Sequence, residues 1–159
     1  MTTTINRDND ELRDLYRELI LDHARSPRHF GKLHAATHMA RGINPLCGDR
    51  LQLFLQLDGD QRITEASFEG SGCAISVASA SLLTDTIIGM QVPAALEVSS
   101  TLTEQLRTGD SGDAESAQLG KLKALFGVHE FPARVKCATL AWHAMNSAIR
   151  NSATPATTE

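Results

Sequence analysis

The spacing of apolar residues in the first part of the chain predicts one helix followed by strands. Over residues 9–25, apolar side chains recur three or four positions apart, as on the buried face of an amphipathic helix. Residues 37–44 are compatible with a first strand. Over residues 50–57, leucines alternate with mostly polar residues, and this period of two predicts a strand with one buried face. The Asp-Gly-Asp turn at 58–60 leads into a strand over 62–69, with a bulge or twist because that strand does not hold one face.

Longer apolar segments in the second part of the chain predict helices. The segment 74–90 is rich in small and branched apolar residues, and its length favours a buried helix over a strand. Helices are also predicted over 93–107 and 114–126, with a glycine-containing loop between them. Pro132 opens the last helix, in which apolar residues follow at spacings of three and four. These elements predict an α+β domain, with a small antiparallel sheet early and helices mostly after it.

The length of the chain and the character of its ends predict one domain. The 159 residues suffice for a single domain with its own core. We expect a flexible N-terminus over residues 1–8 and one domain over residues 9–150. Residues 151–159 lack apolar anchors, and we expect them to form a disordered tail.

Charge and composition exclude two classes of partner. The net charge is −4, whereas a nucleic-acid-binding domain is normally basic. No apolar run approaches the roughly 20 residues that span a bilayer. The first 11 residues contain acidic side chains and no apolar core, unlike a signal or transit peptide. We therefore expect a cytoplasmic protein with no nucleic-acid partner and no membrane partner.

The three cysteines all lie beside breaks between predicted elements. Cys47 lies in a loop before the clearest strand, Cys73 follows Gly-Ser-Gly before a helix, and Cys137 lies near the start of the last helix. An odd number of cysteines cannot close a disulfide framework, so these thiols stay free unless they bind metal or react. Their separations of 26 and 64 residues match no zinc-finger pattern. Thiols at such junctions can converge at one sheet edge, although free cysteines also often fill a core.

Three charged residues lie close in sequence to these thiols. Three thiolates and one carboxylate form a tetrahedral set that zinc accepts, and Asp49 is the candidate for the carboxylate. The alternative role for Asp49 is that of a turn residue that satisfies backbone N–H groups. Arg134 either stabilises an anion near Cys137 or is a solvated residue at a helix start. We expect a helix N-terminus, Arg134 or Lys136 to lower the pKa of nearby thiols.

Four sequence motifs match one known family in the right order. They are LYRELILDH at 15–23, NPLCGD at 44–49, GSGCAIS at 70–76 and FPARVKCATL at 131–140. Through these motifs the chain resembles the SufU branch of the IscU/NifU-like iron–sulfur cluster assembly proteins. IscU-type scaffolds usually have His directly before the last cysteine, where this chain has Lys136. The long segment 91–130 can also hold the extra segment of the SufU branch.

The resemblance implies a fold and a metal site. The fold is an α+β domain with a three-stranded antiparallel sheet packed with helices, and its last helix carries the final cysteine near its start. The expected metal is Zn²⁺, with iron or an iron–sulfur cluster as the alternative. The expected ligands are Cys47, Asp49, Cys73 and Cys137.

The resemblance also implies sulfur transfer for iron–sulfur cluster assembly in the SUF system. A pyridoxal-phosphate-dependent cysteine desulfurase of the SufS type is the expected sulfur donor, and downstream assembly proteins are the expected recipients. The chain would act as a sulfurtransferase-type persulfide acceptor, through Cys47 or through its rival Cys137. From its residue type and its position before Cys137, Arg134 is expected to stabilise the persulfide anion or to contact the partner. Two alternatives remain open. One is a scaffold on which a cluster is assembled and transferred, and the other is a domain whose zinc is purely structural.

Overall fold

The computed structural model describes residues 2–109, 119–151 and 156–158. The helices are α1 (Thr2–Arg25), α2 (Ala74–Ile87), α3 (Val92–Thr108) and α4 (Pro132–Ile149), with a 3₁₀ helix at Gly120–Glu130. The strands are β1 (His38–Asn44), β2 (Asp49–Leu57), β3 (Ile63–Ser71) and β4 (Ala156–Thr157). The predicted α+β class is confirmed, because one sheet packs against helices that mostly follow it.

The strands form one mixed sheet in the order β3-β2-β1-β4. β1, β2 and β3 are antiparallel neighbours, as predicted, but β4 runs parallel to β1. The prediction of a three-stranded, purely antiparallel sheet is therefore wrong at this edge. β4 lies within the segment that we expected to be a disordered tail. β4 pairs with the outer edge of β1, and the Thr158 N–H donates to the Ile43 carbonyl at 3.3 Å.

Strand β2 is the most deeply buried part of the sheet. Leu51, Leu53 and Leu55 are buried on one face, as the period of two predicts. Phe54 is buried as well, on the opposite face, so β2 is covered on both sides at this point. The pairing of β2 with β3 shifts register between Gln56 and Leu57, which confirms the expected irregularity between these strands.

Helix α4 packs against β1, β2 and α2 and forms the centre of the core. Its predicted apolar stripe is confirmed, since Ala138, Trp142 and Met145 are fully buried. The Trp142 indole N–H donates to the Ser79 hydroxyl of α2 at 3.2 Å, so the buried ring also has its polar atom satisfied. This packing fixes the first turns of α4 against the ends of β1 and β2.

Some element boundaries differ from those predicted. α1 begins at Thr2, whereas the sequence predicted a start at residue 9. The mostly polar residues before residue 9 lack the apolar spacing that would indicate a helix. The described part of the predicted helix 114–126 is 3₁₀ helix. Residues 110–118, which include most of the predicted loop before it, lie outside the described residues. None of the helices in the described ranges combines the length and apolarity that a membrane crossing requires.

Candidate metal centre

The hairpin between β1 and β2 places Asp49 and the loop with Cys47 at one end of the sheet. Asn44 ends β1, Asp49 begins β2, and the two residues pair in register. The residues between them form an exposed turn that contains Cys47. Gly48 has a φ of +71°, a left-handed conformation that other residues disfavour, and it closes the turn directly before Asp49.

The end of β3 brings Cys73 to the same place. Ser71, the last residue of β3, pairs with Arg50 beside Asp49. The Cys73 backbone N–H then donates to Asp49 Oδ1 at 2.9 Å. Gly72 is required for this approach, because a Cβ at that position would come 2.5 Å from the same oxygen. Cys73 directly precedes α2, as predicted.

Helix α4 supplies the third thiol. Because α4 begins at Pro132, Cys137 lies in its second turn, and its side chain is fully buried. The Sγ atoms of Cys47 and Cys137 and a carboxylate oxygen of Asp49 all lie within 4.8 Å of one another. The structure thus brings three of the four predicted ligands into one group. Cys73 is not part of that group, but it lies beside it through its hydrogen bond to Asp49.

The residues of this centre differ in their access to solvent. Cys47 is exposed, Cys73 is half-buried and Cys137 is fully buried. Asp49 is also fully buried. Cys47 is therefore the thiol that another protein reaches first.

Without a bound metal ion, the surroundings of the Cys137 thiol favour its neutral form. Burial raises the pKa of Cys137 well above its usual value, and the neighbouring Asp49, Cys47 and Cys73 add to the rise. The expected lowering of the thiol pKa is therefore wrong for Cys137. The helix dipole acts mainly on the first turn, which Cys137 does not occupy, and burial is the largest influence on its pKa.

Arg134 lies near the thiols, and its role there stays a prediction. Contacts with Cys137 and then with Cys73 raise the pKa of the Arg134 guanidinium, which places this cation beside both sulfur atoms. Arg134 is itself exposed. It can therefore meet an anion that arrives from solvent as well as the thiols behind it.

Sequence reasoning missed Asn44 as a member of the centre and treated it only as a residue that breaks a strand. Asn44 is fully buried, and its Nδ2 donates to Asp49 Oδ2 at 3.2 Å and to Cys137 Sγ at 3.5 Å. An asparagine before a proline is ordinary at the start of a turn, so the sequence carried no sign of this role. The pairing of β1 with β2 is what revealed it.

The donor set fits a soft or borderline divalent cation such as Zn²⁺. Asp49 is fully buried, yet no Lys or Arg nitrogen lies within 4.0 Å of its carboxylate among the side chains that the structure describes. A buried carboxylate without a positive partner is costly, whereas a metal ion compensates for its charge. Cysteine sulfur and a carboxylate oxygen are both established zinc ligands. Cys47, Asp49 and Cys137, with Cys73 beside them, are therefore the residues that can hold such an ion.

Comparison with known families and proteins agrees with this geometry. The family described as NifU-like N terminal domain matches residues 15–138. The chain is 43% identical to the zinc-dependent sulfurtransferase SufU of Bacillus subtilis (strain 168) over 141 residues, which cover 89% of this chain and 93% of the relative. It is 38% identical to the iron–sulfur cluster assembly scaffold protein IscU of Streptococcus pyogenes serotype M1, with coverage of 90% and 87%.

A solved structure shows the same fold. It is the crystal structure of a candidate iron–sulfur cluster assembly scaffold protein for the SUF system from the thermophile Fervidobacterium islandicum AW-1. The TM-score is 0.76 and the sequence identity is 34%, and the alignment covers 83% of this chain and 94% of the other. The match therefore extends over nearly all of that protein and includes its arrangement of sheet and helices.

Proposed function

The chain belongs to the NifU-like N-terminal domain family, and from that premise we propose that it is a zinc-binding sulfur acceptor for iron–sulfur cluster assembly. The observation that carries the proposal is the contrast between the exposed Cys47 and its buried neighbours Asp49 and Cys137. A structural zinc site has no need to expose one of its thiols on a turn. The relative from B. subtilis, named as a zinc-dependent sulfurtransferase, supports the same reading.

The proposed donor is a SufS-type cysteine desulfurase that carries a persulfide on its own cysteine. The Cys47 thiolate attacks the outer sulfur of that persulfide, and a bond forms between Cys47 Sγ and this sulfur. The bond to the desulfurase cysteine breaks, and that cysteine leaves as a thiolate with the electron pair. No external oxidant or reductant is needed, because the sulfur atom moves between two thiolates without a net redox change.

The other residues of the centre hold the acceptor and its charge. When zinc is bound by Cys47, Asp49, Cys73 and Cys137, it keeps the thiols deprotonated at neutral pH. Arg134 lies beside Cys137 and Cys73, where its fixed positive charge stabilises the anionic sulfur that arrives. We therefore propose Cys47 as the acceptor, with Cys137 as the rival and Arg134 as the assisting cation.

An apolar rim beside the centre supports docking of a protein donor. Leu46, directly before Cys47, is 71% exposed. Phe131, directly before α4, is 60% exposed. Exposed large apolar side chains next to a reactive group are typical of interaction sites. We propose that the desulfurase covers this rim in the cytoplasm, where thiols stay reduced, and that downstream assembly proteins receive the sulfur.

Mass spectrometry of the protein after reaction with a desulfurase and cysteine tests the proposal. We expect one added sulfur atom on Cys47 in the wild type and none on the Cys47→Ala variant. The Cys137→Ala variant, a matched removal of a buried thiol, should still accept sulfur at Cys47 if it retains its fold. Persulfide confined to Cys137 would make Cys137 the acceptor. If the Cys47→Ala variant loses stability but sulfur transfer is unchanged, the zinc is purely structural.

A second candidate function is a scaffold on which an iron–sulfur cluster is built and transferred. The relative from S. pyogenes is named as such a scaffold, and the same thiols and carboxylate are available here. Anaerobic reconstitution with iron and sulfide, followed by visible absorption, tests it. A stable cluster that passes to an apoprotein would favour the scaffold over the sulfur acceptor.

A further inference from the structure

We propose that Asn44 is a positioning residue, whose carboxamide holds Asp49 and Cys137 in place in the metal centre and so confines sulfur acceptance to Cys47. The first part of this inference concerns metal binding alone. The second part, on Cys47, rests on the proposed sulfur transfer.

The contacts of Asn44 join two ligands that come from different elements. Its Nδ2 atom carries two hydrogens and lies 3.2 Å from Asp49 Oδ2 in β2 and 3.5 Å from Cys137 Sγ in α4. The other carboxylate oxygen, Oδ1, accepts from the Cys73 N–H at 2.9 Å. Each oxygen of Asp49 therefore has one protein donor, so the plane of the carboxylate is fixed from both sides.

The carbonyl oxygen of the Asn44 side chain has no partner in the described part of the chain, which indicates that the N–H donors are the part of the carboxamide that matters here. Asn44 Oδ1 is buried and accepts no hydrogen bond from any residue that the structure describes. An apolar side chain would avoid that penalty, so the penalty is offset only by what Nδ2 does. An amide donates to two anionic ligands without adding a charge. An aspartate here would repel Asp49, whereas a lysine would neutralise it and compete with the cation.

The position of Asn44 in the hairpin explains why the residues of the centre differ in exposure. Asn44 and Asp49 form the last in-register pair of β1 and β2, and both side chains are fully buried. The turn between them, which contains Cys47, is exposed along its whole length. The chain is thus anchored at both ends of the turn, and only the residues between the anchors reach solvent. Asn44 therefore fixes the buried ends of the turn, whereas Cys47 lies in its exposed part.

Metal binding by the full-length protein tests the positioning role without any sulfur chemistry. We compare wild type with Asn44→Ala and with Asn44→Leu, which keeps a similar size and loses the donor without adding a charge. Asn146→Ala is the matched control, because Asn146 also has a buried Oδ1 without a partner among the described residues and lies about two and a half turns beyond Cys137 on α4. Zn²⁺ affinity is measured by competition with a chelator, and the ligand field by the visible spectrum of the Co²⁺-loaded protein.

We expect both Asn44 variants to bind Zn²⁺ about 10–100-fold more weakly than wild type and to shift the Co²⁺ absorption bands, while Asn146→Ala changes neither. Circular dichroism separates this effect from loss of fold, and if Asn44→Ala unfolds, the Asn44→Leu variant decides. Wild-type affinity and an unshifted spectrum in a folded Asn44 variant would overturn the inference.

Sulfur transfer then tests the second part of the inference. After reaction with desulfurase and cysteine, we expect the Asn44→Leu variant to carry persulfide on Cys137 as well as Cys47, because Cys137 no longer has its hydrogen bond from Asn44. Persulfide that stays confined to Cys47 in this variant would contradict the effect of Asn44 on sulfur acceptance, but not its positioning role in metal binding. If the wild type accepts no sulfur but the Asn44 variants still lose zinc affinity, the proposed function fails and the role of Asn44 stands.

Discussion

Two polar clusters in the described part of the chain contain buried side chains, and they differ in how far the chain satisfies them. The first is the histidine cluster, which consists of His23, Arg28, Ser81 and Thr84. The backbone N–H of Arg28 donates to Ser81 Oγ at 2.8 Å, and His23 Nδ1 lies 2.7 Å from the same oxygen. The Thr84 hydroxyl donates to the Ser81 carbonyl at 2.9 Å. In the thiol cluster, by contrast, a buried carboxylate has only neutral donors and lies within 4.8 Å of two thiol sulfurs. The members of the thiol cluster are Asn44, Cys47, Asp49, Cys73 and Cys137.

The difference separates a cluster that fixes helices from one that is built for a cation. The histidine cluster joins α1 and the loop after it to α2, and its partners all come from the chain. An unsatisfied buried atom alone does not mark a site, since Ser67 and Ser99 also have one among the described residues. What marks the thiol cluster is a fully buried carboxylate, Asp49, that has no Lys or Arg nitrogen within 4.0 Å among the described side chains. The predictions below test that distinction, from the largest expected effect to the smallest.

Removal of zinc should destabilise the protein more than any single substitution in either cluster. At a free zinc concentration 1,000 times the Kd, binding contributes about 4 kcal/mol to stability. For a domain of this size that corresponds to a Tm lower by roughly 8–16 °C after chelation. Calorimetry with saturating zinc and with a chelator measures the shift. Ser81→Ala is the control, because it should lower both Tm values and leave the difference between them unchanged. An identical Tm with and without zinc would contradict the distinction.

Asp49→Asn should have the next largest effect, and it should be confined to metal binding. The substitution keeps the shape of the side chain and removes the charge that the cation compensates. We expect Zn²⁺ affinity to fall by about 100-fold, which corresponds to about 2.8 kcal/mol. Asp22→Asn is the matched control, because Asp22 is an exposed aspartate whose ion pair with Arg28, at 2.6 Å, borders the histidine cluster. Equal zinc affinities for the two variants would show that the thiol cluster has no special need for its carboxylate.

The sequence predicted the parts of the fold that have a regular apolar period. The alternation in β2 and the stripe on α4 reflect burial on one face, and both are confirmed. β4 could not be predicted, because a strand of two residues in a polar tail has no period to detect. Its pairing depends on the free edge of β1, which exists only in the folded protein.

The sequence also indicated most of the candidate site, but by a different route. Motif resemblance, and not spacing, joined Cys47, Asp49, Cys73 and Cys137. The ligand set itself stays a prediction, although the structure brings these residues to one end of the sheet. Asn44 was missed because its contacts to Asp49 and Cys137 depend on strand register and helix packing. The raised pKa of Cys137 was missed for a related reason, since burial is a property of the folded chain.

Acid should weaken the histidine cluster through His23. Burial lowers the pKa of His23 below its usual 6.5, and the charges of Arg28 and Lys121 lower it further, against a smaller opposite effect of Asp22. The unfolded chain therefore takes up the proton first, so stability is complete above pH 6.5 and falls as the pH drops through that value. Urea unfolding of the chelator-treated protein across this range measures the loss. The His23→Gln variant should be less stable at neutral pH but should lose less on acidification. If the stability of that variant falls with decreasing pH as steeply as that of the wild type, the acid sensitivity comes from other groups.

Arg134→Ala should have the smallest effect on stability and yet a clear effect on sulfur transfer. Arg134 is exposed, so its removal leaves no cavity, and we expect no measurable change in Tm. Its contacts with Cys137 and Cys73 nevertheless place a fixed positive charge where an anionic persulfide sulfur would arrive. We expect the rate of sulfur transfer from desulfurase to fall roughly tenfold, as for the loss of one charge-assisted hydrogen bond. The exposed Arg150 at the other end of α4 is the matched control, and Arg150→Ala should transfer sulfur at the wild-type rate. If the two arginine variants behave alike, Arg134 is a solvated surface residue, and Cys47 accepts sulfur without it.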